Sequence, residues 1–264
     1  MGALGGGSKF LESEAMIDAH APVEVFDEID STILEARRRA ERSDLGPVWL
    51  IAKRQTAGRG RRGRAWSSLD GNLMATLLFT TQTPPSQIAL LGFATGVALA
   101  ESFDAIIGSG RATLKWPNDV LIDGAKACGI MLDSGALNGG GAWVALAFGV
   151  NLAGAPHNID QVTISLREVL ASDAPVPEPL EFLAQLRPRL EAWALRIERE
   201  GFEPLRQAWL KRAHGLGQTA RITQGPNTLE GRLVGLSARG ELEFDTAEGR
   251  RLVAAGDVIF SNAA

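Results

Sequence analysis

The chain has 264 residues, of which 45% are hydrophobic and 22% charged, with a formal net charge of −4. This composition excludes disorder over most of the chain and argues against a general binder of polyanions, and the length suits one large domain or a medium domain with a small one. A single cysteine excludes an intrachain disulfide and favours the reducing cytoplasm. No apolar run is long enough to cross a membrane, and the N-terminus lacks the apolar stretch of a secretory signal.

Strands and helices are predicted up to residue 214, after a flexible leader at residues 1–20 that holds a Gly-Gly-Gly-Ser tract. The first helix is expected to start at a capping box, because Glu35 follows Thr32 at the required spacing. Hydrophobic patterns predict strands at 23–29, 48–52, 73–80, 113–116, 120–122, 129–132 and 143–150, and helices over 34–41, 88–107, 180–200 and 202–214.

Beyond Gly215 the helical pattern stops. Short alternating runs separated by glycine-containing turns predict a small β-barrel of SH3-like size. These runs cover 219–223, 228–236, 241–245 and 250–253. We therefore divide the chain into the leader at 1–20, a main domain at 21–214 and a C-terminal domain at 215–264.

The residue types that are scarce in this chain limit the kinds of functional site that it can form. One cysteine and three separated histidines form no motif of zinc-ligand spacing, so the metal ligands stay unassigned. Of the 27 basic residues five are lysines and 22 are arginines. Each lysine is therefore a departure from the preference of this chain for arginine.

The stretch from Lys53 to Arg64 is the strongest local signal. It holds six cations, and no acidic residue occurs between Asp44 and Asp70. Such a loop repels itself, so it makes most sense when it binds an anion: its glycines allow close approach of the backbone, and its arginines offer forked contacts to phosphate or carboxylate. A solvated basic loop and an RNA-contacting segment are the alternatives that the residues leave open.

Two lysines further along carry the second and third signals. Lys115 precedes a Pro-Asn-Asp turn, and a hairpin turn alone would explain that tripeptide but neither the lysine nor Trp116. Lys126 opens a nearly apolar run, where it is either an edge residue or a point charge for a carboxylate or phosphate that gains charge during a reaction.

In order and spacing, these motifs together resemble the biotin protein ligases. The matching residues are Gln55–Arg64 (QTAGRGRRGR), Trp66, Lys115–Asp119 (KWPND) and Lys126–Ile130. The resemblance extends from about Val23 through Asp30–Thr32 and Phe148–Asn151 into the C-terminal domain. It implies an α+β fold, in which a mixed β-sheet with packed helices of the class II synthetase-like, biotin ligase type is followed by a small C-terminal SH3-like β-barrel.

The resemblance also implies an activity. Residues 21–214 would form a catalytic domain that binds biotin and ATP, activates biotin as biotinyl-5′-AMP with Mg²⁺, and transfers it to one lysine of a biotin carboxyl carrier protein of acetyl-CoA carboxylase or a related carboxylase. We expect a cytoplasmic enzyme without nucleic-acid or membrane partners, and the family suggests a homodimer. Some relatives carry a helix-turn-helix module, for which the twenty or so leader residues are too few, so no repressor function is predicted.

Residue roles follow from the same resemblance. The expected catalytic residues are Lys126, Arg61, Lys115 and Asp119. The expected biotin contacts are Ser31, Thr32, Ile33, Gln55, Arg59, Gly60, Arg61 and Lys126. The expected contacts of ATP and the adenylate are Gly58, Arg59, Arg61, Arg64, Trp66, Asn118, Asp119 and Asn151.

The chemistry agrees with these residue types. Adenylation brings a carboxylate and a triphosphate together, so fixed cations must offset their repulsion, whereas the carboxylate needs no general base because it is already a nucleophile. Two alternatives remain: a lipoate or octanoate ligase or transferase of the same superfamily, and a nucleic-acid-binding module that uses the glycine-arginine loop.

Overall fold

The computed structural model describes residues 17–157, 161–225 and 227–260. The strands are β1 (Val23–Ile29), β2 (Val48–Gln55), β3 (Leu73–Thr81), β4 (Ala112–Lys115), β5 (Asp119–Ile122), β6 (Ala125–Ala136), β7 (Ala142–Val150), β8 (Thr219–Gln224), β9 (Asn227–Leu236), β10 (Leu242–Thr246), β11 (Gly249–Val253) and β12 (Asp257–Phe260). The helices are α1 (Thr32–Glu41), α2 (Pro85–Ile88), α3 (Leu90–Ile107), α4 (Leu166–Val169), α5 (Pro179–Glu200) and α6 (Glu203–Leu210).

The first seven strands form one mixed sheet in the order β1-β2-β3-β7-β6-β5-β4. Only β1 and β2 run parallel, and every other neighbouring pair in this sheet is antiparallel. The central strands β3 and β7 are nearly continuous apolar runs because both of their faces are covered. The expected mixed sheet with packed helices is confirmed.

Helices cover the two faces of this sheet unequally. On one face, α3 and α5 pack against the sheet over the main apolar core. On the other face, α1 covers a small cluster around Ile33 and Ala36 and leaves part of the sheet open. The Pro85–Ile107 stretch is apolar and long enough to span a membrane, but 61% of that window is buried in the protein, which is the burial of a core helix.

The last five strands form an antiparallel sheet in the order β11-β10-β9-β8-β12. The expected C-terminal β-domain is therefore confirmed, although its final strand, β12, was not among the predicted runs. Buried residues of this C-terminal sheet, such as Leu233 and Phe244, belong to the same apolar cluster as α3 and the main sheet. Arg206 of α6 also donates a hydrogen bond to the carbonyl oxygen of Leu236, at 2.7 Å. The C-terminal sheet therefore packs firmly on the rest of the chain.

Most of the predicted leader lies outside the described residues. Ile17 falls within its range but is fully buried in the main core. The amide nitrogen of Ala19 donates a hydrogen bond to Glu191 of α5, at 3.0 Å. The packed structure therefore includes residues that the sequence placed in the leader.

Three local predictions were wrong. Thr32 does not cap α1, since Ser31 is the N-cap and makes no capping hydrogen bond with its side chain. Strand β6 is twelve residues long, far longer than the predicted 129–132, because β7 pairs with it as far as Ala136. Helix α6 ends at Leu210 and not at 214, because the chain beyond it bonds to β4: the amide of His214 donates to the carbonyl oxygen of Leu114 at 2.8 Å.

The segment that follows α6 includes an ion pair that we expect to be important for the stability of the fold. Arg212 lies 2.6 Å from Asp104 of α3, and these side chains are only 23% and 8% exposed. Arg212→Ala would leave a buried carboxylate unpaired and should lower the free energy of unfolding by about 3 kcal/mol in urea titrations. Arg221→Ala breaks an exposed pair with Glu230 and should cost no more than about 0.5 kcal/mol. Equal losses in the two variants would contradict this role for Arg212.

Candidate active site

A cavity of about 370 Å³ opens on the face of the main sheet that α1 covers only in part. Its volume is in the range of small-molecule sites. Many of the residues singled out in the sequence line it: Ser31, Thr32, Ile33, Gln55, Arg59, Gly60, Arg61, Arg64, Trp66, Asn118, Lys126 and Asn151. Gly58, Lys115 and Asp119 do not line the cavity. The fold therefore brings together three motifs that are far apart in the chain.

One end of the cavity is neutral and hydrogen-bonded. The Oε1 atom of Gln55 accepts bonds from the amide and the hydroxyl of Thr32, at 2.9 and 3.2 Å. The hydroxyl of Thr76, on β3, donates to the hydroxyl of Thr32 at 2.8 Å. These bonds fix the side chain of Gln55 at the end of β2, where Gln55 lines the cavity.

The floor of the cavity is a pair of glycines on neighbouring strands. Gly129 of β6 lies directly opposite Gly149 of β7. The ring of Trp66 covers this bare patch: a Cβ atom at Gly149 would lie 2.3 to 2.5 Å from three ring atoms, and one at Gly129 would lie 3.0 Å from the ring. Any side chain at Gly149 would therefore displace the ring.

Lys126 lies above the same patch. Its Nζ atom is 2.7 Å from Oδ1 of Asp119 and 5.8 Å from the centroid of the Trp66 ring. The other carboxylate oxygen of Asp119 accepts a hydrogen bond from Gln161, at 3.3 Å. The side chains of Lys126 and Asp119 are only 16% and 13% exposed, so the pair is well shielded from water. Asp119 therefore fixes the ammonium of Lys126 at the cavity without lining the cavity itself.

The glycine-arginine loop folds as a short hairpin beside this pair. The amide of Trp66 bonds to the carbonyl oxygen of Gly58 at 2.9 Å, and a Cβ atom on Gly58 would lie only 2.4 Å from the oxygen of Trp66. At the tip of the loop, Arg61 donates to Oδ1 of Asn118 at 3.1 Å, and Asn118 in turn bonds to the backbone of Ile130. Burial lowers the pKa of the Arg61 guanidinium from its usual value. Desolvation of a cation beside a cavity favours the binding of an anion there.

Lys115 lies opposite Asp119 in the hairpin of β4 and β5. It is partly buried, and among the described residues its ammonium has no hydrogen-bond or ion-pair partner. Burial and the charge of Lys126 lower its pKa, whereas Asp119 and Asp257 act in the opposite direction. Lys115 therefore lies beside the cavity and adds to its positive potential.

Asn151 follows β7 directly and lines the cavity. Its side-chain nitrogen donates to the carbonyl oxygens of Lys126 and Ile164, at 3.4 and 3.3 Å. Its Oδ1 atom is buried and has no hydrogen-bond partner among the described residues. An unpaired buried acceptor at a cavity wall is suited to a ligand that brings a donor.

Sequence reasoning gave no role to several residues that line the cavity: Met74, Met131, Ala147, Gln161 and Thr163, and also Gly129 and Gly149, which lie within the matching segments. Met74, Met131 and Ala147 are ordinary strand residues, and only their alternation would have indicated which face they share. Gln161 and Thr163 come from a segment that pairs with the start of β6 through the backbone of Lys126, and it carries no predicted element.

The cavity therefore combines a neutral, partly apolar end with an end that is lined by Arg59, Arg61, Arg64 and Lys126. Across the described ranges, no group of three or more His, Cys, Asp or Glu side chains could hold a metal ion. This arrangement suits a ligand with one anionic and one neutral part.

Two family models match the chain. Residues 26–151 match the Biotin/lipoate A/B protein ligase family, and residues 215–261 match the Biotin protein ligase C terminal domain. The fold and the site thus define a protein of the biotin and lipoate ligase class.

Individual relatives narrow this class. The chain is 36% identical over 234 residues to the biotin–[acetyl-CoA-carboxylase] ligase of Paracoccus denitrificans, covering 88% of this chain and 97% of that protein. It is 29% identical to the ligase of the same name from Mycobacterium tuberculosis, over 84% of this chain and 82% of the relative. The solved biotin protein ligase of Aquifex aeolicus in complex with biotin and ATP shares the fold, with a TM-score of 0.76 at 24% identity over 91% of this chain and 98% of that one. The chain belongs to the biotin protein ligase family.

The contact between Trp66 and the glycine floor can be tested by a double-mutant cycle. Gly149→Ala should lower the free energy of unfolding by about 1–3 kcal/mol, because the new methyl group must displace the ring. In a Trp66→Ala background the same substitution should cost much less.

Urea titration measures all four proteins of this cycle. Gly92→Ala is the control, since a Cβ atom at this position in α3 meets no other atom within 4 Å. If Gly149→Ala is equally costly with and without Trp66, the ring does not rest on this patch.

Proposed function

We propose that the chain is an ATP-dependent ligase that activates biotin as biotinyl-5′-AMP and transfers it to one lysine of a biotin carboxyl carrier protein. In the first step a carboxylate oxygen of biotin bonds to the α-phosphorus of ATP, and the bond to the bridging oxygen breaks to release pyrophosphate. In the second step the lysine amine bonds to the acyl carbon, loses a proton, and AMP leaves. The observation that carries this proposal is the cavity with one neutral and one cationic end, in a chain of this family.

The neutral end suits the ring system of biotin. Ser31, Thr32 and Gln55 offer hydrogen-bonding groups to a ureido ring. The apolar side chains of Ile33 and Met131 line the same cavity and suit the thioether ring and the alkyl chain. A ligand bound in this way would point its carboxylate toward the cations, which is the orientation that adenylation requires.

The cationic end suits the phosphates of the nucleotide. Two anions must approach each other, and fixed positive charge offsets their repulsion and stabilises the charge that develops on the pentavalent phosphorus. Lys126 is held for this role by Asp119. Arg61 and Lys115 supply further positive charge, while Arg59 and Gly60 of the loop would cover biotin and the adenylate.

The nucleoside part would lie against Trp66 and Asn151. The indole offers an aromatic surface for stacking, and the unpaired Oδ1 atom of Asn151 would accept a hydrogen bond from the amino group of adenine. Arg64 and Asn118 line the same region. Gly58 would contribute through the shape of the loop, since it does not line the cavity.

Mg²⁺ would enter with ATP. Asp119 is a carboxylate beside the cationic end; one of its oxygens forms an ion pair with Lys126, and the other accepts a hydrogen bond from Gln161. Magnesium in nucleotide sites is commonly held by one or two carboxylates together with phosphates and water. We therefore assign most of its ligands to the triphosphate, where it would offset phosphate charge.

The acceptor would be the carrier domain of acetyl-CoA carboxylase or a related carboxylase. The enzyme would act in the cytoplasm and would have no nucleic-acid or membrane partner.

A homodimer stays a prediction. β1 is an open edge of the main sheet, with Val23 and Val25 exposed, and it is one strand that could pair with a second copy. The division into 21–214 and 215–264 is supported by the separate C-terminal sheet.

The proposed function can be tested with the purified full chain. With labelled biotin, MgATP and a carrier domain, we expect release of pyrophosphate and one label per carrier. No label should transfer when ATP is omitted. Label from lipoate but not from biotin would show the related lipoate activity instead. Binding of RNA or DNA at physiological salt, with no pyrophosphate released, would favour the nucleic-acid module.

Lys126→Ala should slow pyrophosphate release by about 100- to 1,000-fold, because it removes a preorganised cation from the reacting phosphate. Lys53→Ala is the control, since this lysine makes an exposed pair with Asp27 and should keep the wild-type rate. Thermal melting would verify that both variants are folded. A wild-type rate in folded Lys126→Ala would refute the role of this lysine.

A further inference from the structure

The glycine-arginine loop has a second anchor, in the C-terminal sheet. Asp257, the first residue of β12, accepts a hydrogen bond from Arg62 at 2.9 Å through one carboxylate oxygen and from Arg64 at 3.2 Å through the other. Arg62 and Asp257 are 195 residues apart in the sequence. One carboxylate thus bonds two of the arginines of the loop at the same time.

The tip of the loop needs such a contact. Arg62 has a φ angle of 56°, in the left-handed region that a residue with a side chain rarely adopts. The next residue, Gly63, also has a positive φ, and both are exposed. A strained turn that is exposed to water persists only when other contacts hold it.

Charge supports the same conclusion. Arg61, Arg62 and Arg64 are close enough to repel one another, and among the described residues the Arg61 guanidinium bonds only to the neutral Asn118. Among the described residues, Asp257 is the carboxylate that forms ion pairs with this tip. Asp257 also acts against the lowering of the Arg61 pKa that burial causes.

The strand that carries Asp257 is itself well fixed. β12 pairs with β8, where Asp257 lies opposite Thr223, and Val258 is buried in the core. Phe260 packs edge-on against His214, whose amide is bonded to β4. The carboxylate of Asp257 is therefore held at a defined position relative to the main sheet.

We propose that Asp257 is a positioning residue that holds the loop over the cavity, so that the C-terminal sheet helps to retain the reactive adenylate. The proposal rests on the proposed function for its catalytic consequence. The loop is held at two points: Arg61 is bonded inward to Asn118 of the main sheet, and Arg62 and Arg64 are bonded outward to Asp257. Loss of the outer anchor lets the tip open and expose the acyl phosphate to water and to bystander amines.

The test begins without ligands. Trypsin cleavage after Arg61, followed by mass spectrometry on the full chain, measures how often the tip opens. In Asp257→Asn we expect cleavage about tenfold faster, because two partly shielded ion pairs are lost together. Asp257→Glu keeps the charge and should restore most of the protection. Asp245→Asn is the matched control: it breaks an exposed pair with Arg250 in the same sheet and should leave cleavage unchanged.

Arg62→Ala removes a partner of Asp257 that lies in the loop. This variant tests the same contact if Asp257→Asn does not fold. It should also speed cleavage after Arg61, and Asp257→Asn should add less in its background than in the wild type. Wild-type cleavage rates in both folded variants would overturn the proposal.

The catalytic consequence is measured with biotin, MgATP, carrier and a bystander protein. In Asp257→Asn the ratio of bystander label to carrier label should rise severalfold, with an unchanged thermal midpoint. An unchanged ratio in a variant with faster loop cleavage would overturn the positioning role. If the wild type forms no adenylate at all, the proposed function fails, while the cleavage assay still decides whether Asp257 anchors the loop.

Discussion

Repulsion among the cations that follow β2 is the constraint to which much of this structure responds. Six positive side chains lie between Lys53 and Arg64, and several are neutralised by carboxylates from distant elements. Lys53 pairs with Asp27, Arg54 with Glu28, and the tip of the loop with Asp257. Of the loop cations that line the cavity, Arg64 shares Asp257 with Arg62, whereas among the described residues the Arg61 guanidinium bonds only to the amide oxygen of Asn118. A loop whose cations are only partly neutralised keeps positive potential where anions must meet.

The site also depends on the register of two strands. Gly129 and Gly149 are opposite each other only because β6 and β7 pair without a slip over nine residue pairs. A shift of one residue would place side chains where the ring of Trp66 now lies and would turn the cavity residues of β6 to the other face. The antiparallel core of the sheet is therefore part of the binding site as well as its support.

Some of this could be predicted from the sequence, and the reasons are physical. The motif residues were recognisable because their composition is unusual: clustered arginines without acids, and lysines in a chain that prefers arginine. The strands near 73–80 and 143–150 were recognisable by their uninterrupted apolar runs. The roles of Gln161 and of the glycine floor were not predictable, although both glycines lie in the matching segments, because these roles arise from pairing between distant segments. The same holds for Thr32, whose spacing suggested a cap although its hydroxyl bonds to Gln55 at the end of β2.

The position of Asp257 has a consequence for biosynthesis. A ribosome makes the loop long before it makes β12, since 195 residues separate Arg62 from its partner. The outer anchor of the loop is missing until the last described strand has emerged. On the proposal made above, a nascent or truncated chain that ends before Asp257 would lack the contact that holds the loop over the cavity. Full closure would be restricted to chains that have been synthesised to the end of β12.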